Sequence, residues 1–132
     1  MISHINGRLV EKTPTYVVID CSGVGYKLHI SLQTYTAIHT ENCKLLTHLS
    51  VKEDSHTLYG FYTSDERELF RHLISVSGVG PSTARMILST YSADEIVHYI
   101  ISADVGSIQN VKGIGGKTAQ RIIIDLKDKV GK

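Results

Sequence analysis

A stretch of nine residues occurs twice in this chain of 132, at an offset of 35. Val76-Ser77-Gly78-Val79-Gly80-Pro81-Ser82-Thr83-Ala84 aligns with Val111-Lys112-Gly113-Ile114-Gly115-Gly116-Lys117-Thr118-Ala119. Each copy reads as an apolar helix, a Gly-apolar-Gly turn, and a second helix with one apolar face. Two copies do not make a solenoid, so the repeat describes a pair of hairpins. Glycines at Gly78, Gly80, Gly113 and Gly115 permit positive φ and a close backbone approach. Val79 and Ile114 are placed to plug between the helices. The second helix of each hairpin then starts with free N–H groups pointing outward at the positive end of its dipole, which suits an anion such as a backbone phosphate. Pro81 fits the first turn of its helix, where a missing N–H costs nothing. Such a grip holds phosphate without reading base edges. One Gly-x-Gly between helices is ordinarily a tight turn and nothing more. The matched pair points to nucleic acid through Gly78, Val79, Gly80, Pro81, Ser82 and Thr83 in the first copy. In the second copy the candidates are Lys112, Gly113, Ile114, Gly115, Gly116, Lys117, Thr118 and Arg121. The run Gly113–Thr118 is too short for a nucleotide-binding P-loop and follows no strand.

Upstream of the repeat the period changes. Tyr26, Leu28 and Ile30 alternate with Lys27, His29 and Ser31, as in a half-buried strand. Tyr16-Val17-Val18-Ile19 is β-branched and aromatic, and Ser22-Gly23-Val24-Gly25 supplies turn residues. Leu45, Thr47, Leu49 and Val51 alternate again, and Leu58–Phe61 forms a last short run. With residues 2–10 this makes five strands, with an irregular or briefly helical stretch between Ile30 and Lys44. Short strands without helix-length crossovers suggest a small antiparallel barrel. From Thr63 the pattern is helical. Thr63 with Glu66, and Ser92 with Glu95, fit capping boxes, and Ala119, Ile122, Ile123, Leu126 and Val130 recur on one face. Two domains follow, 1–62 and 63–132, in an α+β chain. Each would bury only about 60% of its unfolded surface, so packing between halves or subunits matters.

Composition narrows the function. Hydrophobic residues make up 42% and charged residues 20%, a globular balance. No apolar run approaches the length of a membrane span, and the N-terminus lacks the apolar core of a secretion signal. Cys21 and Cys43 have no metal spacing and read as reduced thiols of a cytoplasmic protein. The seven histidines are scattered without zinc spacing. No cofactor or metal site is expected. A net charge of +1 means that any nucleic-acid site is local. Residues 1–63 balance five basic against five acidic side chains, whereas residues 105–132 carry six against two. The second hairpin should therefore be the stronger electrostatic contact, although Lys127, Lys129 and Lys132 also suit a helix C-terminus. A repair glycosylase would need a base-accepting pocket in a larger helical body. A single-strand binder would need exposed aromatics on a basic sheet face, and Tyr16, Tyr26, Tyr59 and Phe61 read as core. Glu53 and Asp54, between two predicted strands, form no metal cluster for a nuclease and read by themselves as a solvated turn.

With Ile5-Asn6-Gly7-Arg8, Gly23-Val24-Gly25-Tyr26, Lys52-Glu53-Asp54, Leu58-Tyr59-Gly60-Phe61, both glycine turns and Arg121, essentially the whole chain resembles the RuvA family. These are bacterial proteins that bind Holliday junctions for branch migration. The resemblance implies an OB-fold five-stranded β-barrel followed by an all-α domain with two helix-hairpin-helix motifs. It implies a homotetramer, with one tetramer or two on the junction left open. Its implied partners are Holliday junction DNA, the ATP-driven RuvB motor and the RuvC resolvase, with no membrane. The chain itself is then a DNA-binding subunit and not an enzyme. It makes Glu53 and Asp54 an acidic pin at the junction centre, where like charge guides strands apart. The family's third domain, which contacts the motor, would follow a linker beyond Lys132, so this chain is expected to bind junctions but recruit the motor poorly. Ser82 and Gly116 stand where relatives often carry a basic residue. Lys112 adds charge nearby, and a gentler salt dependence than in a more basic relative is expected.

Overall fold

A computed structural model describes residues 2–130. The chain folds as two compact units, 1–67 and 68–132.

The first unit is a closed barrel of five strands. They are β1 (His4–Lys12), β2 (Tyr16–Cys21), β3 (Val24–His29), β4 (Asn42–Lys52) and β5 (Ser55–Phe61), arranged β1-β2-β3-β5-β4. A ring of five strands cannot alternate direction all the way round. One neighbouring pair must be parallel, and it is β3 with β5, at His29 opposite Tyr59. The antiparallel pairing expected from the sequence holds at the other four seams. The β1–β2 register shifts between Leu9 and Glu11, a bulge that helps a strand bend round a small barrel. Ser22 and Gly23 both have positive φ and close the β2–β3 hairpin in two residues, as a mirror-image turn requires.

Inside lie Ile5, Val17, Ile19, Leu28, Ile30, Ile38, Cys43, Leu45 and Leu58. The interior is filled so closely that a Cβ on Gly60 would stand 3.0 Å from both Leu28 Cδ2 and Leu45 Cδ1. Tyr59 and Phe61 are buried as expected. Tyr16 is not a core residue. It is half-buried, its hydroxyl donates to Glu11 Oε1, and Lys27 Nζ sits 4.3 Å from its ring centroid.

The stretch after β3 does contain a short helix, α1 (Leu32–Ala37), capped by Ser31. The next helix, α2 (Ser64–Ile74), starts as the sequence suggests, with Glu66 N–H donating to Thr63 Oγ1 at 3.2 Å. The other half of that capping box is replaced. The Glu66 carboxylate, 5% exposed, accepts from Ser31 Oγ at 2.8 Å and Thr34 Oγ1 at 2.6 Å. Burial pushes its pKa above the ordinary carboxylate value, and the two hydroxyls only partly offset this.

In the second unit follow α3 (Pro81–Thr90), α4 (Ala93–Ile101), α5 (Val105–Gln109) and α6 (Gly116–Leu126). Their apolar stripes are buried at Ala84, Ile87, Leu88, Ile96, Ile100, Ile108, Ala119, Ile122, Ile123 and Leu126. The Ser92–Glu95 capping box is complete. Helix α4 ends in a Schellman turn, in which Asp104 N–H donates to Tyr99 O at 2.8 Å and Ala103 N–H to Ile100 O at 3.2 Å. The left-handed position of that turn is held by Ala103, at φ 57°. No helix among the described residues is long and apolar enough to cross a membrane.

Candidate nucleic-acid interface

The two glycine turns are one structure built twice. In the first, Val76 N–H donates to Leu73 O and Val79 N–H to Val76 O, at 3.1 and 3.0 Å. In the second, Val111 N–H donates to Ile108 O and Ile114 N–H to Val111 O, at 3.2 and 3.1 Å. Val79 and Ile114 are buried, as are Val76 and Val111 beneath them, so the apolar residue between the glycines does anchor each hairpin.

The glycines divide the work unequally. Gly78 and Gly113 have φ of +91° and +89°, which only glycine adopts readily. Gly80 and Gly115 do not use positive φ, contrary to the sequence expectation. They are extended, with φ of −92° and −84°, and serve as the N-caps of α3 and α6. Their carbonyls accept from Ala84 and Ala119 at 2.9 and 3.0 Å. A Cβ at either would meet nothing within 4 Å. Neither backbone angle nor space within the chain demands glycine there.

What glycine does at these two positions is leave a helix start bare. The other helices are each capped by a side chain. Ser31 caps α1, Thr63 Oγ1 accepts at the start of α2, Ser92 caps α4 and Asp104 caps α5. Hydrogen bonds from Ser107 hold the Asp104 carboxyl below its ordinary pKa. Helices α3 and α6, the second helix of each hairpin, have no side-chain cap. First-turn amides have no intrahelical acceptor. In α3 these are Ser82 and Thr83, since Pro81 has no N–H. In α6 they are Gly116, Lys117 and Thr118. The two hairpins adjoin: Thr118 Oγ1 lies 3.8 Å from where a Cβ on Gly78 would stand.

Charge gathers at the second hairpin. Lys112, Lys117 and Arg121 are exposed, and none is ion-paired among the described residues. Lys117 and Arg121 are four residues apart on α6 and share a face. Ser82 is exposed and Thr83 half-buried on α3. Lys127 and Lys129 lie past the far end of α6, about 16 Å along its axis from the bare amides, where a helix C-terminus favours cations. Lys132 lies outside the described residues. The sequence reading missed Gln109. Its carboxamide packs against Gly116, with Nε2 3.6 Å and Oε1 3.4 Å from the position of a Cβ there. The signal was present: the residue 35 positions earlier is Ile74, so a polar side chain replaces an apolar one in the repeat.

Glu53 and Asp54 belong to the barrel unit. They are the two turn residues between β4 and β5, with Lys52 opposite Ser55 and Val51 opposite His56. They lie in a tight turn, as their sequence suggests. All residues from Val51 to His56 are exposed, Val51 to 59%. The alternation that placed Val51 inside therefore fails, because this hairpin runs on past the barrel wall. Among the described residues no group of three or more His, Cys, Asp or Glu could hold a metal ion.

Comparison with known proteins agrees with both halves. Residues 1–60 match the family model described as RuvA N terminal domain, and residues 70–128 the SAM-like Helix-hairpin-helix tandem. A protein of Christiangramia forsetii named Holliday junction branch migration complex subunit RuvA is 62% identical over 131 residues, covering 98% of this chain and 68% of its own length. The protein of the same name from Bacteroides thetaiotaomicron is 53% identical, with 98% and 65% covered. The one from Amoebophilus asiaticus is 46% identical, with 100% and 69% covered. The chain thus spans about two thirds of the length of these relatives. A five-stranded closed barrel, a tandem of hairpins and this identity along the whole sequence give one answer: the chain belongs to the RuvA family.

Proposed function

We propose that this chain binds four-way DNA junctions as the DNA-holding subunit of a branch-migration complex. One observation carries the reading. Side chains cap every helix of the described residues except the two that follow the duplicated glycine turns. Backbone phosphates of an arm complete those starts at Ser82–Thr83 and Gly116–Thr118, with Lys112, Lys117 and Arg121 adding charge and Gly78, Val79, Gly113 and Ile114 setting the turn. The interaction carries no sequence preference. Four subunits hold the four arms open and square. Glu53 and Asp54, on a hairpin tip, stand at the crossover and repel continuous duplex backbone there. ATP-driven movement belongs to the RuvB motor and strand cleavage to the RuvC resolvase, in the bacterial cytoplasm. Capped helices elsewhere, an exposed acidic tip and the names of the relatives support this assignment.

The test is competition among a four-way junction, a linear duplex and a single strand of equal length, with light scattering for assembly size. Preference for the junction by a tetramer or octamer is expected. Equal affinity for junction and linear duplex refutes it. Glu53→Gln with Asp54→Asn should keep binding and alter branch migration in a full-length relative with its motor, and an unchanged rate removes the pin assignment.

A further inference from the structure

The two hairpins match in backbone but not in what they offer a phosphate. At the first, Pro81 takes the first helical position and removes one amide, and the repeat position that corresponds to Gln109 is the apolar Ile74. At the second, Gly116 takes that position. It supplies its own N–H, and its missing side chain leaves a space. The Gln109 carboxamide stands at the edge of that space, with Cδ 3.7 Å from where a Cβ would be. It projects from the last residue of α5, ahead of the turn. Among the described residues it has no hydrogen-bond partner. A carboxamide, with Oε1 3.4 Å and Nε2 3.6 Å from that Cβ position, thus borders the first residue of a helix start whose amides at Gly116, Lys117 and Thr118 lack an intrahelical acceptor, and a rotation of its terminal torsion turns the NH2 toward an anion held there.

From this we infer that Gln109 is a DNA-contacting residue, which donates from its side-chain amide to the phosphate held by Gly116, Lys117 and Thr118. The inference rests on the proposed hairpin function and adds to it a fourth donor. Gly116 is then more than a lost positive charge. It is the opening through which the neutral donor on α5 reaches the phosphate, and it makes the second hairpin the dominant grip. A carboxamide adds hydrogen bonding without a released counterion, so Gln109 contributes to affinity and nothing to the salt slope.

Four variants test this on the whole chain with a four-way junction and a linear duplex: Gln109→Leu, Gln109→Glu, Gln109→Lys and, as reference, Lys117→Gln. Gln109→Leu keeps bulk and removes the donor. It should weaken both probes by about threefold to tenfold, the range for one hydrogen bond, with an unchanged salt slope. Gln109→Glu, nearly isosteric, should weaken binding more, through repulsion of the phosphate. Gln109→Lys should steepen the slope of log affinity against log salt by about 0.9 for each subunit engaged, as one added cation–phosphate pair. That slope reports how near position 109 lies to a phosphate, whereas a glutamine without a DNA contact would leave the affinity of Gln109→Leu unchanged. If Lys117→Gln weakens binding while Gln109→Leu does not, the inference is wrong and the hairpin reading stands. If Lys117→Gln changes nothing either, both fall.

Discussion

Lys117 and Arg121 allow the DNA-binding geometry to be tested quantitatively. Both are exposed on one face of α6, within two turns of the bare amides at Gly116–Thr118, and neither is held in an ion pair among the described residues. Replacing both with glutamine removes two cations without touching the buried stripe of Ala119, Ile122 and Ile123. Removing one cation from a phosphate lowers the slope of log affinity against log salt by about 0.9, so the double variant should lose about 1.8 for each subunit engaged. One subunit alone would then bind about sixtyfold more weakly at 0.1 M salt, relative to the 1 M reference. If four subunits hold one junction, the loss in slope approaches about 7, and the same titration counts the subunits that engage DNA. Anisotropy of a labelled junction between 50 and 300 mM salt covers the range. Circular dichroism melts of both proteins check that the fold is unchanged. A slope equal to that of the unmodified chain, in a variant that melts normally, refutes the placement of phosphate at the start of α6.

Gly113→Ala forces a Cβ into φ +89° and should abolish the second grip at a stability cost of about 1–2 kcal/mol, read by junction binding and denaturant melts together. Unaltered binding would show that this turn is irrelevant. Ala103→Gly relieves the left-handed residue that closes α4 and should raise stability by about 1 kcal/mol, seen as a higher melting temperature; a lower one would contradict the turn geometry. Glu66, buried against Ser31 and Thr34, has its folded pKa raised. Its contribution to stability is full below the unfolded glutamate value, about 4.3, and is lost as pH rises through the raised folded value. The stability of the chain relative to its Glu66→Gln variant should therefore fall with rising pH across that window. A pH-independent difference would mean that the carboxyl is not desolvated.

Glu66 also shows where sequence reading runs out. A Thr-x-x-Glu signature looks the same whether the carboxylate turns back to its own helix start or reaches Ser31 and Thr34 more than thirty residues away. Local pattern holds no information on that choice. Val51 follows the alternation of its strand, yet the core it would face has ended before the hairpin does. The hairpins were legible because their constraint is local: φ near +90° at Gly78 and Gly113 selects glycine, and a buried plug selects Val79 and Ile114. The five strands were legible from alternation and turn residues, while the parallel seam follows only from closing an odd ring. Gln109 escaped notice because a lone polar residue at a helix end is common. Only its placement against Gly116 gives it meaning.

The bare starts of α3 and α6 make folding and binding partners in one equilibrium. A serine or aspartate at Gly115 would fit the open space and the extended backbone, and would finish the helix internally with a gain of a few tenths of a kcal/mol. It would also occupy the place that an incoming anion is meant to take. The helical unit is thus left slightly incomplete at two helix starts, and on the proposed function nucleic acid would supply the missing cap. Association should accordingly raise the melting temperature of the helical unit, so that heat resistance becomes a direct gauge of occupancy.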